Sequence, residues 1–331
     1  MGSQNDQPLV TISMMTYNQE RYVRDAVRGV LAQTYEPLEI VISDDHSTDR
    51  TWDIINEEVE AYKKTGGVHT KIILSQNEEN VGIAGNFKIA QTLSHGVLIV
   101  AAAGDDLSMS IRVERIVDAW VKNGKQAAAI GHSGYMIDPK GRILGVVRRS
   151  TFEAPLGALM AWRVYPELQF PNVECRGAVE DAIFSYRAAM LGDWLDLDDK
   201  LILYRIGSGG TSVFVRQRKA AINGILGWVN SFPQIRSDVE YLRKRMGEEK
   251  YEFFSKKIAA DDKYYSAYLT LLTSNSYSKR REGYKTVIDR NEKLKQKILL
   301  QCYLLPKCVG DVLLNSFAIL KTVIKLITVA R

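Results

Sequence analysis

The sequence predicts an α/β protein, a mostly parallel sheet flanked by helices with a helical C-terminal region. Apolar runs of strand length alternate with stretches of helical apolar spacing through the first hundred residues. Several of these runs stop abruptly at polar or acidic residues, as strands do where an open α/β sheet presents its chemistry. From about Arg216 onward strand signals cease, and the chain becomes helical and rich in Lys, Tyr and Leu. The β-α-β-α-β-α-β order implies right-handed crossovers, which bring the strand ends to one edge.

Residues 9–15 read as a buried strand ending at Thr16-Tyr17-Asn18. Tyr22, Val23, Ala26, Val27, Val30 and Leu31 then recur at helical spacing. Pro37 resets the chain before a second strand, 38–43, which ends at Asp44-Asp45. Ser47-Thr48-Asp49 is an N-cap cluster for the helix carrying Trp52, Ile55 and Val59, and Gly66-Gly67 breaks that helix. Residues 71–74 form a third strand, 83–93 a third helix and 98–102 a fourth strand, which runs into Gly104-Asp105-Asp106. Further on, 111–121 reads as a helix, and 127–130 and 143–147 read as strands around the turn Asp138-Pro139-Lys140-Gly141. Glu180-Asp181 opens a helix that Gly192 stops, and 201–205 is a late strand before the loop 207–212. The expected domains are 1–215 and 216–331.

Composition narrows the function classes. The 331 residues are 46% hydrophobic and 25% charged, ordinary for a globular protein, with a net charge of only +5 and no nucleic-acid partner expected. Cys175, Cys302 and Cys308 form neither a zinc motif nor a disulfide framework, which suits a reducing, cytoplasmic compartment. The first residues have no basic and apolar regions of a secretion signal, and no polar-free stretch is long enough to span a membrane.

Three acidic sites carry the chemistry: Asp44-Asp45, Asp105-Asp106 and Glu180-Asp181. Adjacent carboxylates at a strand end repel one another and require a cation, such as a hard divalent metal holding a diphosphate. A carboxylate can accept the imide N–H of uracil or thymine, and a tyrosine ring can stack on the base. The third pair can take a proton from a nucleophile. At a helix N-terminus the dipole favours the ionised form of Asp181. Neighbouring helical residues point in different directions, so only one of Glu180 and Asp181 should face the acceptor.

The run 10–18 with Gln33-Thr34-Tyr35, the run 44–49, Asn80-Val81-Gly82 with Asn86, Gly104-Asp105-Asp106 and Glu180-Asp181 together resemble family-2 glycosyltransferases. The resemblance covers roughly the first two thirds of the chain. It implies a GT-A (Rossmann-like) fold and inverting transfer of a sugar from a nucleotide diphosphate donor. It implies Asp181 as general base and Asp106 as ligand of Mn2+ or Mg2+. Thr16, Tyr17, Asn18, Glu20, Asp44, Asp45, Asn86, Asp105 and Glu180 would then bind substrate, with Tyr17 and Asp45 at the base. The histidine that some members place after the Tyr204-Arg205 strand is absent, as is the Gln-x-x-Arg-Trp signature of processive synthases.

His46 reads as a solvated turn residue, and His132 has no acidic partner nearby in sequence. Arg205 reads either as a diphosphate contact or as the partner of an acid. Near the C-terminus Leu313, Phe317, Leu320, Ile324 and Ile327 share one helical face, with Arg290, Lys293, Lys295 and Lys297 upstream. A basic amphipathic helix of this kind suits the anionic cytoplasmic face of an inner membrane and a lipid-linked glycan acceptor. The other reading docks the segment on the protein's own core or on a second subunit, as in a homo-oligomer. Two rival functions would ask for other residues. A nucleotidyltransferase would favour a Gly-rich basic loop where Thr16-Tyr17-Asn18 stands, and a non-catalytic nucleotide-sugar binder would not need three acidic sites.

Overall fold

The structure, a computed structural model, describes residues 7–65, 70–148, 150–152, 155–171, 177–207, 218–289 and 300–305. The expected C-terminal amphipathic helix, the lysines before it, the loop from 208, the boundary near 215, Cys175 and Cys308 lie outside these residues. Strands β1 (Val10–Thr16), β2 (Leu38–Asp44), β3 (Lys71–Gln76) and β4 (Leu98–Ala103) alternate with helices α1 (Val23–Leu31), α2 (Thr51–Lys64) and α3 (Ile83–Thr92). They pair in parallel in the order β3-β2-β1-β4. β1 and β2 are buried nearly throughout, so they read as continuous apolar runs rather than alternating ones.

The second half of the sheet is mixed. After β4 come β5 (Leu107–Ser108), α4 (Arg112–Lys122), β6 (Ala129–Ile137), β7 (Ile143–Val147), β8 (Met160–Arg163), α5 (Glu180–Leu191) and β9 (Trp194–Arg205). The order continues β4-β8-β6-β9-β5, with β7 on β6. β8 is antiparallel to both β4 and β6, whereas β6 and β9 are parallel. β8 and β5 were not foreseen, and β9 starts earlier than the expected 201. β8 is four residues long and β5 has two, so neither carries a period.

β5 begins only three residues beyond β4 yet pairs with β9, at the far end of the sheet order. The sheet must therefore curl until the end of β9 lies beside the end of β4. Helices α6 (Arg218–Met246), α7 (Glu248–Thr273) and α8 (Tyr277–Ile288) form the C-terminal region. It shares a core with the sheet domain, because Ile183, Tyr186 and Met190 of α5 pack among Phe232, Ile235, Val239, Phe254 and Ile258. Arg187 of α5 also pairs with buried Asp238 at 2.6 Å.

At the sheet edge away from the strand ends, fully buried Glu39 collects Thr11 Oγ1, Lys71 Nζ, His95 N and the His95 ring at 2.8–2.9 Å. Burial would raise its pKa, but these donors outweigh it and hold the carboxyl below its ordinary value. Glu39→Ala should lower unfolding stability by about 2–3 kcal/mol near neutral pH, since bonds to a buried charge are lost. The contribution of a depressed carboxylate is present above its unfolded pKa and lost as pH falls through the folded one. Urea unfolding should therefore show the gap between wild type and variant closing in acid, and equal stability at neutral pH would contradict this account.

Candidate active site

The parallel strands end level with one another. Thr16 is in register with Asp44, Asp44 with Gln76, and Met15 with Ala103. The ladder runs one step further through Asp45 N to Thr16 O, Asn77 N to Asp44 O and Gly104 N to Met15 O. The two strand-end acidic pairs are consequently delivered to one edge.

On the β1–β2 side the expected residues divide sharply by what their polar atoms already do. Asp44 is wholly buried and accepts from Thr16 Oγ1, Ser47 Oγ, Ser47 N and Gln76 Nε2 at 2.6–3.1 Å. Asp44 and Thr16 thus brace the loop from within. Asn86 is likewise internal, bonded to both the hydroxyl and the carbonyl of Ser43. Asp45 Oδ1 accepts from Asn77 Nδ2 and Val81 N, and Oδ2 from Gly82 N, each at 2.9 Å. Asn18 Oδ1 accepts from Thr48 N, and Glu20 Oε2 from Arg50 N, so the β1–α1 and β2–α2 loops are cross-linked. Asn18 and His46 adopt positive φ at the loop tips (51° and 58°), a conformation costly for non-glycine residues. His46 is exposed, with Nδ1 at 3.1 Å from Asn77 O. The Tyr17 side chain, at 46% exposure, faces solvent beside these loops.

The second wall is Gly104-Asp105-Asp106. A Cβ at Gly104 would meet Gln19 Oε1 and Thr16 Cγ2, so a larger residue here would have to displace these side chains of β1 and its loop. Asp106 is buried, and its Oδ1 accepts the Arg205 backbone N–H at 2.6 Å. Burial and the neighbouring Asp105 push the Asp106 pKa well up, against weaker opposition from Arg205 and Arg112. The Arg205 guanidinium turns to backbone carbonyls of Asp105, Asp138 and Pro139 and lies over the Tyr22 ring, so it caps the strand ends.

The third wall is the N-terminus of α5. Glu180 and Asp181 both line one small cavity with Met15, Phe87, Ala101, Gly157, Met160, Trp162 and Phe184. Glu180 Oε2, Asp181 Oδ1 and Trp162 Nε1 are buried without a hydrogen-bond partner. Burial pushes Asp181 up to about 6, a hydrogen bond from Glu180 restraining it. Burial and the Asp181 charge raise Glu180 further. The helix dipole is therefore overruled by desolvation. Both carboxyls are held above their ordinary values, each favouring its protonated form more than an exposed carboxyl does. Gly157 roofs the pair, since a Cβ there would strike Asp181 Oδ1.

Sequence reasoning missed Gly157, Trp162 and the role of Tyr204. Burial, and after it the charges of Asp106, Asp181 and Asp105, raise the Tyr204 pKa, and its ring packs against Val147, Leu159 and Ile202. Gln33 and Thr34 act at a distance. Gln33 joins the Gly29 and Met109 carbonyls and accepts Val113 N at the start of α4, and Thr34 bonds Ser110 O and Glu114.

Among the described residues no three His, Cys, Asp or Glu side chains converge on one point. A cation here would be held by Asp106, with Asp105 beside it, and by phosphate oxygens of the ligand. That donor set fits Mg2+ or Mn2+, which bind through one or two carboxylates plus substrate phosphates. The raised Asp106 is the buried carboxylate such an ion would compensate.

The curled sheet, with its parallel edge and acidic strand ends, is a GT-A fold. Residues 11–158 match the family described as Glycosyl transferase family 2. An Escherichia coli relative is UDP-Glc:alpha-D-GlcNAc-diphosphoundecaprenol beta-1,3-glucosyltransferase WfaP. It is 29% identical over 173 residues, 52% of this chain and 61% of the relative. The chain spans between 27% and 61% of the length of the curated relatives it matches. Two solved structures share the fold. The mannosyltransferase PcManGT from Pyrobaculum calidifontis, in complex with GDP-Man and Mn2+, has a TM-score of 0.52 at 14% identity. That likeness covers 87% of this chain and 89% of the other. S. aureus TarS 1-349 in complex with UDP-GlcNAc has a TM-score of 0.50 at 17% identity, covering 87% and 92%.

A carboxylate whose folded pKa is raised contributes most to stability below its unfolded pKa and loses that contribution as pH rises through the folded value. At neutral pH, ionised Asp181 thus weakens the fold. Asp181→Asn should raise stability there by on the order of 1–3 kcal/mol. In thermal scans the gain should shrink towards pH 4, and an unchanged or lower Tm at pH 8 would refute the assigned shift.

Proposed function

We propose that this protein is an inverting, metal-dependent glycosyltransferase acting on a UDP- or dTDP-sugar. The acceptor is a hydroxyl of a lipid-linked glycan in surface polysaccharide synthesis, such as O-antigen, capsule or exopolysaccharide. The observation carrying the reading is the pairing of two acidic walls within a family-2 setting. Asp106 stands at the end of β4, and a buried carboxyl pair with a near-neutral base stands across from it. The name of the Escherichia coli relative, a glucosyltransferase acting on a diphosphoundecaprenol-linked sugar, supports the acceptor class.

In this reading the Tyr17 ring stacks on the base, and Asp45 Oδ2, with a single internal donor, accepts the imide N–H. Asn18 and Glu20 hold the loop tips, while Thr16, Asp44 and Asn86 hold the loop interior. Asp105 lies towards the donor sugar. Asp106 would hold Mn2+ or Mg2+ against the diphosphate, where the ion supplies charge neutralisation of the leaving group. Asp181 takes the proton of the acceptor hydroxyl, and the oxygen forms a bond to the anomeric carbon as the bond to the nucleoside diphosphate breaks. Glu180, protonated, donates to Asp181 and keeps its pKa near the operating pH, where a general base works best. Attack opposite the leaving group converts an α-linked donor into a β-linked product.

The first test is a thermal-shift panel of UDP-glucose, dTDP-glucose and GDP-mannose with Mn2+ and with EDTA, since a ligand bound to the fold raises Tm. A UDP- or dTDP-sugar should shift wild type only with metal. Asp106→Asn should lose the metal dependence, and a wild-type shift independent of Mn2+ would remove Asp106 from its role. Asp181→Asn should bind the donor normally yet turn over about 10²- to 10⁴-fold more slowly, as a lost general base does.

The C-terminal segment 312–331 is proposed to attach the protein to the cytoplasmic face of an anionic membrane through its apolar face and lysines. Deleting 311–331 should abolish co-sedimentation with phosphatidylglycerol vesicles, and added salt should weaken binding of the intact chain. A deleted protein that still sediments with the vesicles would defeat the proposal, as would one that is insoluble.

A further inference from the structure

Arg112 is the bulkiest side chain wholly withdrawn from solvent, and it opens α4 on that helix's apolar stripe with Val113, Ile116, Val117 and Trp120. A cation there is expensive. Replacing a buried charge by an apolar side chain of similar volume is often neutral or stabilising. Among the described residues no carboxylate lies within ion-pairing distance of it, and all three of its acceptors are neutral. Nη1 donates to Ser108 Oγ at 3.1 Å, Nη2 to Ala158 O at 2.7 Å and Nε to His132 Nε2 at 3.0 Å.

The histidine is a fixed acceptor. Because Nε2 receives the guanidinium, its proton sits on Nδ1, 2.8 Å from Ser133 O. Burial and the Arg112 charge both hold the imidazole neutral.

These acceptors belong to different walls of the site. Ser108 lies two residues beyond Asp106. Ala158 follows Gly157, the roof over Asp181. His132 lies on β6, which joins β8 to β9. We infer that Arg112 is a positioning residue whose guanidinium fixes the distance between the Asp105–Asp106 wall and the Glu180–Asp181 wall. The opposing charge that acts on it is Asp106, so its cation also lies behind the acid that faces the diphosphate. This inference rests on the reading of Asp106 and Asp181 given above. A loose supporting shell leaves a site assembled but misplaced, and a displacement of about 1 Å can cost 10²-fold in rate.

The test compares full-length Arg112→Met, Arg112→Lys and Ser108→Ala. It measures Tm, UDP affinity by calorimetry with Mn2+, and UDP release from the nucleotide sugar that shifts wild type most. Arg112→Met should keep or raise Tm, bind UDP within about threefold of wild type, and lose about 10²-fold in kcat. Arg112→Lys should recover part of the loss, and Ser108→Ala, which deletes one bond at the acidic wall, should lower kcat about tenfold. A crystal structure of Arg112→Met with UDP and Mn2+ should show the 105–108 and 157–159 segments displaced from each other by more than about 0.5 Å. If Arg112→Met does not fold, Ser108→Ala decides alone. The inference is overturned if kcat stays within threefold of wild type, or if it falls only in step with Tm and UDP affinity. Asp106→Asn and Asp181→Asn run alongside. If both stay fully active, the assignment of the walls has failed and not the role of Arg112.

Discussion

The brevity of the link between β4 and β5 is the constraint on which the rest of the site depends. Gly104, Asp105 and Asp106 are all the chain has to pass from the middle of the sheet to a partner at the far end of its order. A flat sheet could not satisfy that pairing, so the strands after β4 coil back until Arg205 can give its backbone N–H to Asp106. Asp106 is thereby trapped where two strand ends meet. An acid placed on a longer loop would reach water and keep its ordinary pKa. Here the backbone denies it that choice.

A second theme is the uneven distribution of hydrogen bonds. On the β1–β2 side the carboxylates are well supplied with donors, Asp44 with four and Asp45 with three. On the α5 side two carboxyl oxygens and an indole N–H are buried with nothing to bond. The first arrangement makes a rigid rim. The second stores unfavourable solvation at the carboxyl pair that the proposed reading makes catalytic, as active sites commonly do at a cost in stability.

Much of the fold was legible in the sequence because buried parallel strands announce themselves. The runs that became β1, β2 and β4 were read nearly to the residue, and Gly192 ended α5 as expected. The first half of β9 could have been read too, since Trp194, Leu195 and Leu197 sit among acids in a partly alternating pattern. The acidic residues of the site were visible as types, but their division of labour was not. Sequence shows that Asp44 and Asp45 are adjacent, not which lone pairs are already filled. It shows Glu180 and Asp181 at a helix start, where the dipole suggests ionisation, but not the burial that outweighs it. Gly157 left no signal. Arg112 did, as one charge on an otherwise apolar helical stripe.

The family match ends at residue 158, one position past the glycine that roofs Asp181, whereas the helix bearing Asp181 lies beyond it. That helix is anchored less to the sheet than to its C-terminal neighbours, through Arg187 and Asp238, through Val179 N and Ser231, and through a shared apolar core. The carboxyl pair of α5 is therefore tied to the C-terminal helices, whereas the acids of β2 and β4 belong to the strand ends. In the proposed reading, drift in that helical region would retune which hydroxyl reaches Asp181 without rebuilding the loops assigned to the donor.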